Sequence, residues 1–289
     1  MTDLVTAAAA APTSAGVYFF LGEARDLLYI GKAANLRRRL QQHAKEVPSA
    51  RERRRTAIYA EVRDVRWEIL ADEESAAARE ADLIVALQPP LNASLVDNGR
   101  WTYLVVTPVD DTCEFAIIED PAGTPSTARV YGCFPHLGKG LSSAPGIACS
   151  DGLTALLRLL WATGGGGAYP RAISGPSPPF KASVPLATAR RPALHRLLAG
   201  TGSRLLDDLS SGIQHAEPYL RPALLRDLAA ARRFWTHGPV ALRKLRLRHG
   251  LPPRPISREE LEEALREEVR GVLGDFHLAP ARVRRRPHL

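Results

Sequence analysis

An α+β fold is predicted for residues 13–98 from three patterns. These are two β-branched and aromatic runs parted by a glycine, an apolar stripe at helical spacing, and a capped helix ending at a Pro-Pro stop. The first run is Gly16-Val17-Tyr18-Phe19-Phe20-Leu21. Gly22-Glu23 breaks it and Leu27-Leu28-Tyr29-Ile30 resumes it, which reads as a hairpin. Leu36, Leu40 and Ala44 then fall on one face of a helix over 35–46. Residues 66–70 read as a third strand, and Asp72 caps a helix that starts at Glu73 and stops at Pro89-Pro90. Residues 1–12, alanine-rich and unpatterned, predict a disordered leader.

Beyond residue 98 the signals weaken. Strands are expected at 103–107 and 115–119 and a helix at 151–162, which makes 99–165 a small α/β extension. A linker follows at 166–180, where glycines give way to Pro176, Pro178 and Pro179. Residues 181–289 read as a mainly helical C-terminal region. Its clearest helix opens at Ser257, in a capping box with Glu260, and runs to about residue 273, ahead of a basic tail of Arg282, Arg284, Arg285 and Arg286. No internal repeat is present.

Composition limits the function classes. No apolar run is long enough to cross a bilayer, and no basic residue precedes the N-terminal alanines, so a cytoplasmic protein is expected. Cys113, Cys133 and Cys149 match neither a disulfide framework nor a zinc site. The net charge of +8 suits a polyanionic partner. Eleven basic and four acidic residues lie between Lys32 and Arg66, a local +7. Within and beside this block, Arg37, Arg38, Lys45, Arg53, Arg54 and Arg55 are candidate contacts to nucleic-acid phosphates. The alternative is a solvated helix face in an arginine-biased chain, since thirty-four of the thirty-nine basic residues are Arg.

Candidate chemistry starts from a misplaced carboxylate. On a helical wheel Ala76, Leu83, Ile84 and Leu87 form one apolar stripe, with Glu80 at its centre. A carboxylate there needs a cation, a set of donors or an opening to solvent. A structural ion pair with a neighbouring arginine and a metal-ligand role both satisfy that need. Arg39 and His43, four residues apart, lie together on the flank of the preceding helix. A guanidinium suits phosphoryl charge and an imidazole suits proton transfer near neutral pH.

These residues carry a resemblance. Gly16-Val17-Tyr18, Tyr29-Ile30-Gly31-Lys32, Asn35-Leu36, Arg39-Leu40, Glu80-Ala81-Asp82-Leu83-Ile84 and Pro90-Leu91-Asn92 resemble, in order and spacing, the motifs of the GIY-YIG nuclease family. Among its branches the chain is most similar to the N-terminal half of UvrC and its Cho-type relatives. The resemblance implies a central antiparallel sheet flanked by helices, and a metal-dependent endonuclease making the 3′ incision of nucleotide excision repair on damaged double-stranded DNA. Carried over by position, it implies a site of Tyr18, Tyr29, Lys32, Arg39, His43, Glu80 and Asn92. Glu80 would be the protein ligand of one divalent cation, Mg²⁺ or Mn²⁺, and Asn92 an orienting amide. His43 stands where that branch commonly has tyrosine. The proton path expected from this set runs through Tyr18 as general base to His43, or through Tyr29 instead.

Two departures narrow the expectation. Residues 161–187 contain no cysteine, so no iron–sulfur cluster is expected, and the chain leaves no room for that subunit's second nuclease domain. Residues 219–228 distantly resemble a module that contacts the UvrB helicase, although Pro222 falls inside it. A restriction or mobile-element nuclease and a non-catalytic DNA-binding module are the alternative functions. No familiar base-reading element follows residue 100, and a pure binder has no need of Glu80 on an apolar stripe.

Overall fold

The computed structural model describes residues 4–45, 61–92, 100–136, 149–164 and 180–278. The expected hairpin forms from β1 (Gly16–Leu21) and β2 (Asp26–Ala33), paired so that Tyr18 lies opposite Gly31 and Phe20 opposite Tyr29. β3 (Asp64–Ile69) pairs antiparallel with the other edge of β1, and with β8 (His277–Leu278) the sheet order is β3-β1-β2-β8. Every residue of β1 is buried, which requires cover on both faces of the sheet. Helix α2 (Leu36–Lys45) contributes Leu36 and Leu40 to one face, with Asn35 Oδ1 capping the Arg38 N–H at 2.9 Å. The other helix, α3 (Glu73–Leu87), is capped by Asp72, which accepts from the Ser75 N–H at 2.7 Å. It ends on a left-handed Gln88 just before Pro89.

The N-terminal residues depart from expectation. Instead of a disordered leader, Leu4–Ala10 forms α1, and Ala7, Ala8 and Ala11 are buried in one cluster with Leu36 and Leu40. Alanine is the best helix former, and its small side chain allows helices to approach closely. Its weak hydrophobicity is also why the buried stripe left no readable pattern.

By contacts the chain divides into two units. The first comprises the described residues up to 92 together with 262–278, and the second comprises 100–136, 149–164 and 180–261. The expected C-terminal region therefore does not hold together. Helix α9 (Arg258–Leu273) opens with the expected box, Glu260 Oε2 accepting from the Ser257 N–H at 2.9 Å and Ser257 Oγ from the Glu260 N–H at 3.2 Å. From residue 262 onward, however, the chain belongs to the first unit. Strand β8 (His277–Leu278) extends the sheet parallel to β2, and the Arg25 guanidinium donates to the carbonyls of Leu273 and Asp275. Arg79 ties the segment to α3 and β3, with Nε 3.1 Å from Glu68 Oε2 and Nη1 2.7 Å from Glu268 Oε2.

Arg79 and its two partners are mostly removed from solvent, so deleting the cation would leave buried carboxylates facing one another. Arg79→Ala is expected to destabilise the first unit by about 3 kcal/mol, read as a lower urea midpoint at an unchanged slope. A midpoint within error of the parent would show that the bridge contributes nothing.

The second unit is built on a sheet of order β6-β4-β5-β7, from β4 (Arg100–Val109), β5 (Thr112–Ile118), β6 (Arg129–His136) and β7 (Phe180–Pro185). The expected division at 166–180 does not separate domains. Residues 165–179 lie outside the described residues, but β7 begins at Phe180 and completes the sheet against β5. Helices α4 (Cys149–Thr163), α5 (Arg191–Leu198), α6 (Arg204–Ile213) and α7 (Arg221–Trp235) share one core with that sheet, including Leu104, Phe115, Leu156, Leu194, Leu205 and Phe234. Pro222 sits in the first turn of α7, where its missing N–H costs nothing. A π-helical turn at Thr236–Val240 leads into α8 (Ala241–Arg248). Among the described residues no helix is long and apolar enough to cross a membrane.

Candidate active site

Strand register assembles the site. Tyr18, Phe20, Tyr29 and Gly31 share one face of the hairpin, because directly opposed residues project to the same side. Helix α2 covers that face, and one turn of helix separates Arg39 from His43. The Tyr18 ring centroid lies 6.1 Å from that of Tyr29 and 5.4 Å from that of His43, and Phe20 meets His43 edge-on. The Tyr18 hydroxyl is 2.8 Å from His43 Nε2. Burial raises the Tyr18 phenol well above its ordinary range, the neighbouring Tyr29 adds to this, and the hydrogen-bonded Arg39 guanidinium opposes it. Tyr18 is therefore a neutral hydroxyl, able to donate to His43 when Nε2 is the unprotonated ring nitrogen.

Glu80 approaches from α3 at the end of β2. Its Oε1 accepts from the Lys32 main-chain N–H at 3.0 Å. Burial pushes its carboxyl up to about 7, despite the opposing pull of Lys32 and Arg39. The Lys32 ammonium itself lies 3.2 Å from Glu73 Oε1, so Lys32 serves Glu80 at close range through its backbone. A carboxyl raised this far has too little positive charge around it, and a divalent cation would supply what is missing. No group of three or more His, Cys, Asp or Glu suited to a metal occurs among the described residues. The donor set fits a hard cation held by one carboxylate, with its other positions left to water and phosphate oxygen.

The structure thus brings Tyr18, Tyr29, Arg39, His43 and Glu80 together. Asn92, the expected orienting amide, is bonded to the main chain of β2. Buried in a 3₁₀ turn (Pro90–Asn92), it accepts from the Ile30 N–H at 2.9 Å and donates to the Ile30 carbonyl at 2.8 Å. Among the described residues β8 pairs with Asp26 and Leu27, and it is the Asn92 amide that meets the main chain of β2 at Ile30, between Tyr29 and Gly31. Asn92→Ala would leave both main-chain groups of Ile30 unsatisfied and should lower stability by about 3 kcal/mol. Hydrogen exchange at Ile30 would show it as selective loss of protection, and protection equal to the parent's would refute the assignment.

Gly31 was not singled out from the sequence, yet the site depends on it. A Cβ there would stand 2.4 Å from the Tyr18 phenol ring, so only glycine lets that ring cross the strand. Its opposition to Tyr18 in the hairpin was the available signal. The expected phosphate contacts separate into two groups. Arg37, Arg38 and Lys45 are all exposed on α2, and Arg37 Nε also donates to the Ala11 carbonyl at 2.7 Å. Arg53, Arg54 and Arg55 lie outside the described residues.

Residues 14–93 match the family model described as the UvrC-like GIY-YIG domain. The chain is 38% identical over 97 residues to the UvrABC system protein C of Nitrobacter winogradskyi, and 33% identical over 128 residues to that of Nitrobacter hamburgensis. Those matches cover 34% and 44% of this chain and only 14% and 18% of the relatives. Among solved structures, the N-terminal GIY-YIG endonuclease domain of UvrC from Thermotoga maritima, bound to magnesium, is similar at 27% identity and a TM-score of 0.28, over 31% of this chain and 94% of that one.

Proposed function

We propose, from the match of residues 14–93 to the UvrC-like GIY-YIG domain, that this chain is a divalent-metal-dependent DNA endonuclease that makes the 3′ incision of nucleotide excision repair. The observation that carries the reading is the 2.8 Å contact between Tyr18 and His43, set beside Arg39 and the under-compensated Glu80. A general base, a place for its proton, a cation for phosphate charge and a metal-binding carboxylate are what in-line hydrolysis of a phosphodiester requires.

In this reading Tyr18 takes a proton from the attacking water as it passes its own to His43 Nε2. Its raised pKa disfavours a free phenolate, so the two transfers are coupled. The water oxygen bonds to phosphorus, and the bond from phosphorus to the leaving ester oxygen breaks. Arg39 neutralises charge on the non-bridging oxygens, and Tyr29, whose ring lies beside that of Tyr18, positions water and phosphate. Glu80 would hold Mg²⁺ or Mn²⁺, which when bound polarises the phosphate and stabilises the leaving oxygen.

Double-stranded DNA, held in part by exposed Arg38 and Lys45, is the proposed partner. A UvrB-like helicase is a second, and within residues 219–228 the exposed Tyr219 and Leu225 would be open to it. Leu224, Asp227 and Leu228 are buried in the core of the second unit, with Asp227 Oδ2 accepting from Arg158 Nε at 2.8 Å. Incision of a duplex carrying one bulky adduct, compared with undamaged duplex, tests the function.

A further inference from the structure

Away from the candidate active site, the second unit contains a cavity of about 420 Å³, formed by β6, the end of α5, the start of α8 and residues 253–255. Four guanidinium groups line it, from Arg129, Arg243, Arg246 and Arg254, and no acidic residue does. Leu198, Leu242 and three prolines supply an apolar wall. Charge in the cavity is poorly compensated. Arg254 shares Glu260, with Nη1 3.0 Å from Oε2, whereas Arg129 and Arg243 make no ion pair among the described residues.

Arg246 shows the imbalance most clearly. Its Nη2 donates to the Arg254 carbonyl at 2.8 Å, while its Nε is buried with no partner among the described residues. Burial and the adjacent Arg254 cation hold its guanidinium below the usual range. His195, hydrogen-bonded to the cavity residue Tyr131, is lowered by burial and by Arg129 and Arg191. Neighbouring cations thus add to burial at both groups. Guanidinium groups gathered beside an apolar wall suit a phosphate ester carrying an organic group, and the volume exceeds what a bare phosphate needs.

We propose that this cavity holds one nucleotide of a DNA strand, with its phosphate on Arg129, Arg243 and Arg246 and its sugar and base against Leu198, Leu242 and the prolines. The proposal rests on the reading of the chain as a DNA endonuclease, and adds a grip on the strand outside the nuclease domain. A free nucleotide has the same chemistry, and the test separates the two.

The full-length chain carrying Glu80→Gln would be titrated with a labelled single-stranded oligonucleotide in EDTA, at several salt concentrations. Arg129→Ala/Arg243→Ala removes two exposed side chains and should leave the fold intact. It should weaken binding about tenfold and flatten the plot of log K against log salt by about 1.4, two contacts at about 0.7 each. Arg246→Lys, which keeps the charge but loses the fork, should weaken binding less and leave the slope near the parent value. Unlabelled deoxynucleoside monophosphate should compete for the parent more strongly than for the double variant. Unchanged affinity and slope in the double variant would overturn the proposal, as would loss of monophosphate binding alone. Binding in EDTA is independent of cleavage. Failure of the nuclease reading would therefore appear as no incision despite an intact salt effect, and failure of this proposal as an unchanged slope in an enzyme that cuts.

Discussion

Glu80→Gln is expected to abolish DNA cleavage at every Mg²⁺ or Mn²⁺ concentration, with folding preserved. The glutamine carbonyl can still accept from the Lys32 N–H, so the local hydrogen bond survives and only the negative charge is lost. Because burial raises the carboxyl to about 7, Glu80 favours the folded state when protonated in acid and loses that advantage as the pH climbs through about 7. At neutral pH without a cation, the glutamine variant should therefore be at least as stable as the parent. A defect that depends on charge and not on the fold identifies a cation ligand, whereas a purely structural glutamate would give the opposite pattern. Single-turnover cleavage over a metal titration, with thermal unfolding alongside, checks both parts. Activity restored at high metal would move the cation to another ligand.

The next largest effect is expected at the Tyr18 and His43 pair. Tyr18→Phe keeps the ring that packs against Phe20 and Tyr29 and removes only the hydroxyl that meets His43. His43→Ala removes the acceptor. Each should slow single-turnover cleavage about 10²-fold or more with DNA affinity retained, the usual size of a general-base contribution. A relay fails when either member is missing, so the double variant should be scarcely slower than the slower single. Multiplicative losses would mean that the two act separately. Full activity in Tyr18→Phe would shift the base to Tyr29.

The sequence made legible what depends on local geometry. The hairpin, the Asp72 cap and the Ser257 box each follow from a few adjacent residues, and the wheel that set Glu80 on an apolar stripe located the carboxylate whose pKa proves most displaced at the site. What escaped depends on distant partners. Glu268 lies 189 residues from Arg79, so a helix that reads as part of a separate C-terminal region instead belongs to the first unit. Strand β6 was hidden by Gly132 and Pro135, which weaken any strand pattern, and β7 by the proline-rich stretch before it. Asn92 was legible as a site residue, but its two bonds to Ile30 join residues 62 apart in sequence, which no local pattern encodes. The bond from Arg37 to the Ala11 carbonyl was not legible, because it exists only once the N-terminal residues fold against α2.

The decisive measurement is incision of a duplex carrying a single bulky adduct by this chain with Mg²⁺, mapped at nucleotide resolution. The account predicts one cut on the 3′ side of the adduct, faster than on undamaged duplex and absent from the Glu80→Gln chain. Equal cutting of damaged and undamaged duplex, or a cut that persists without Glu80, would contradict it.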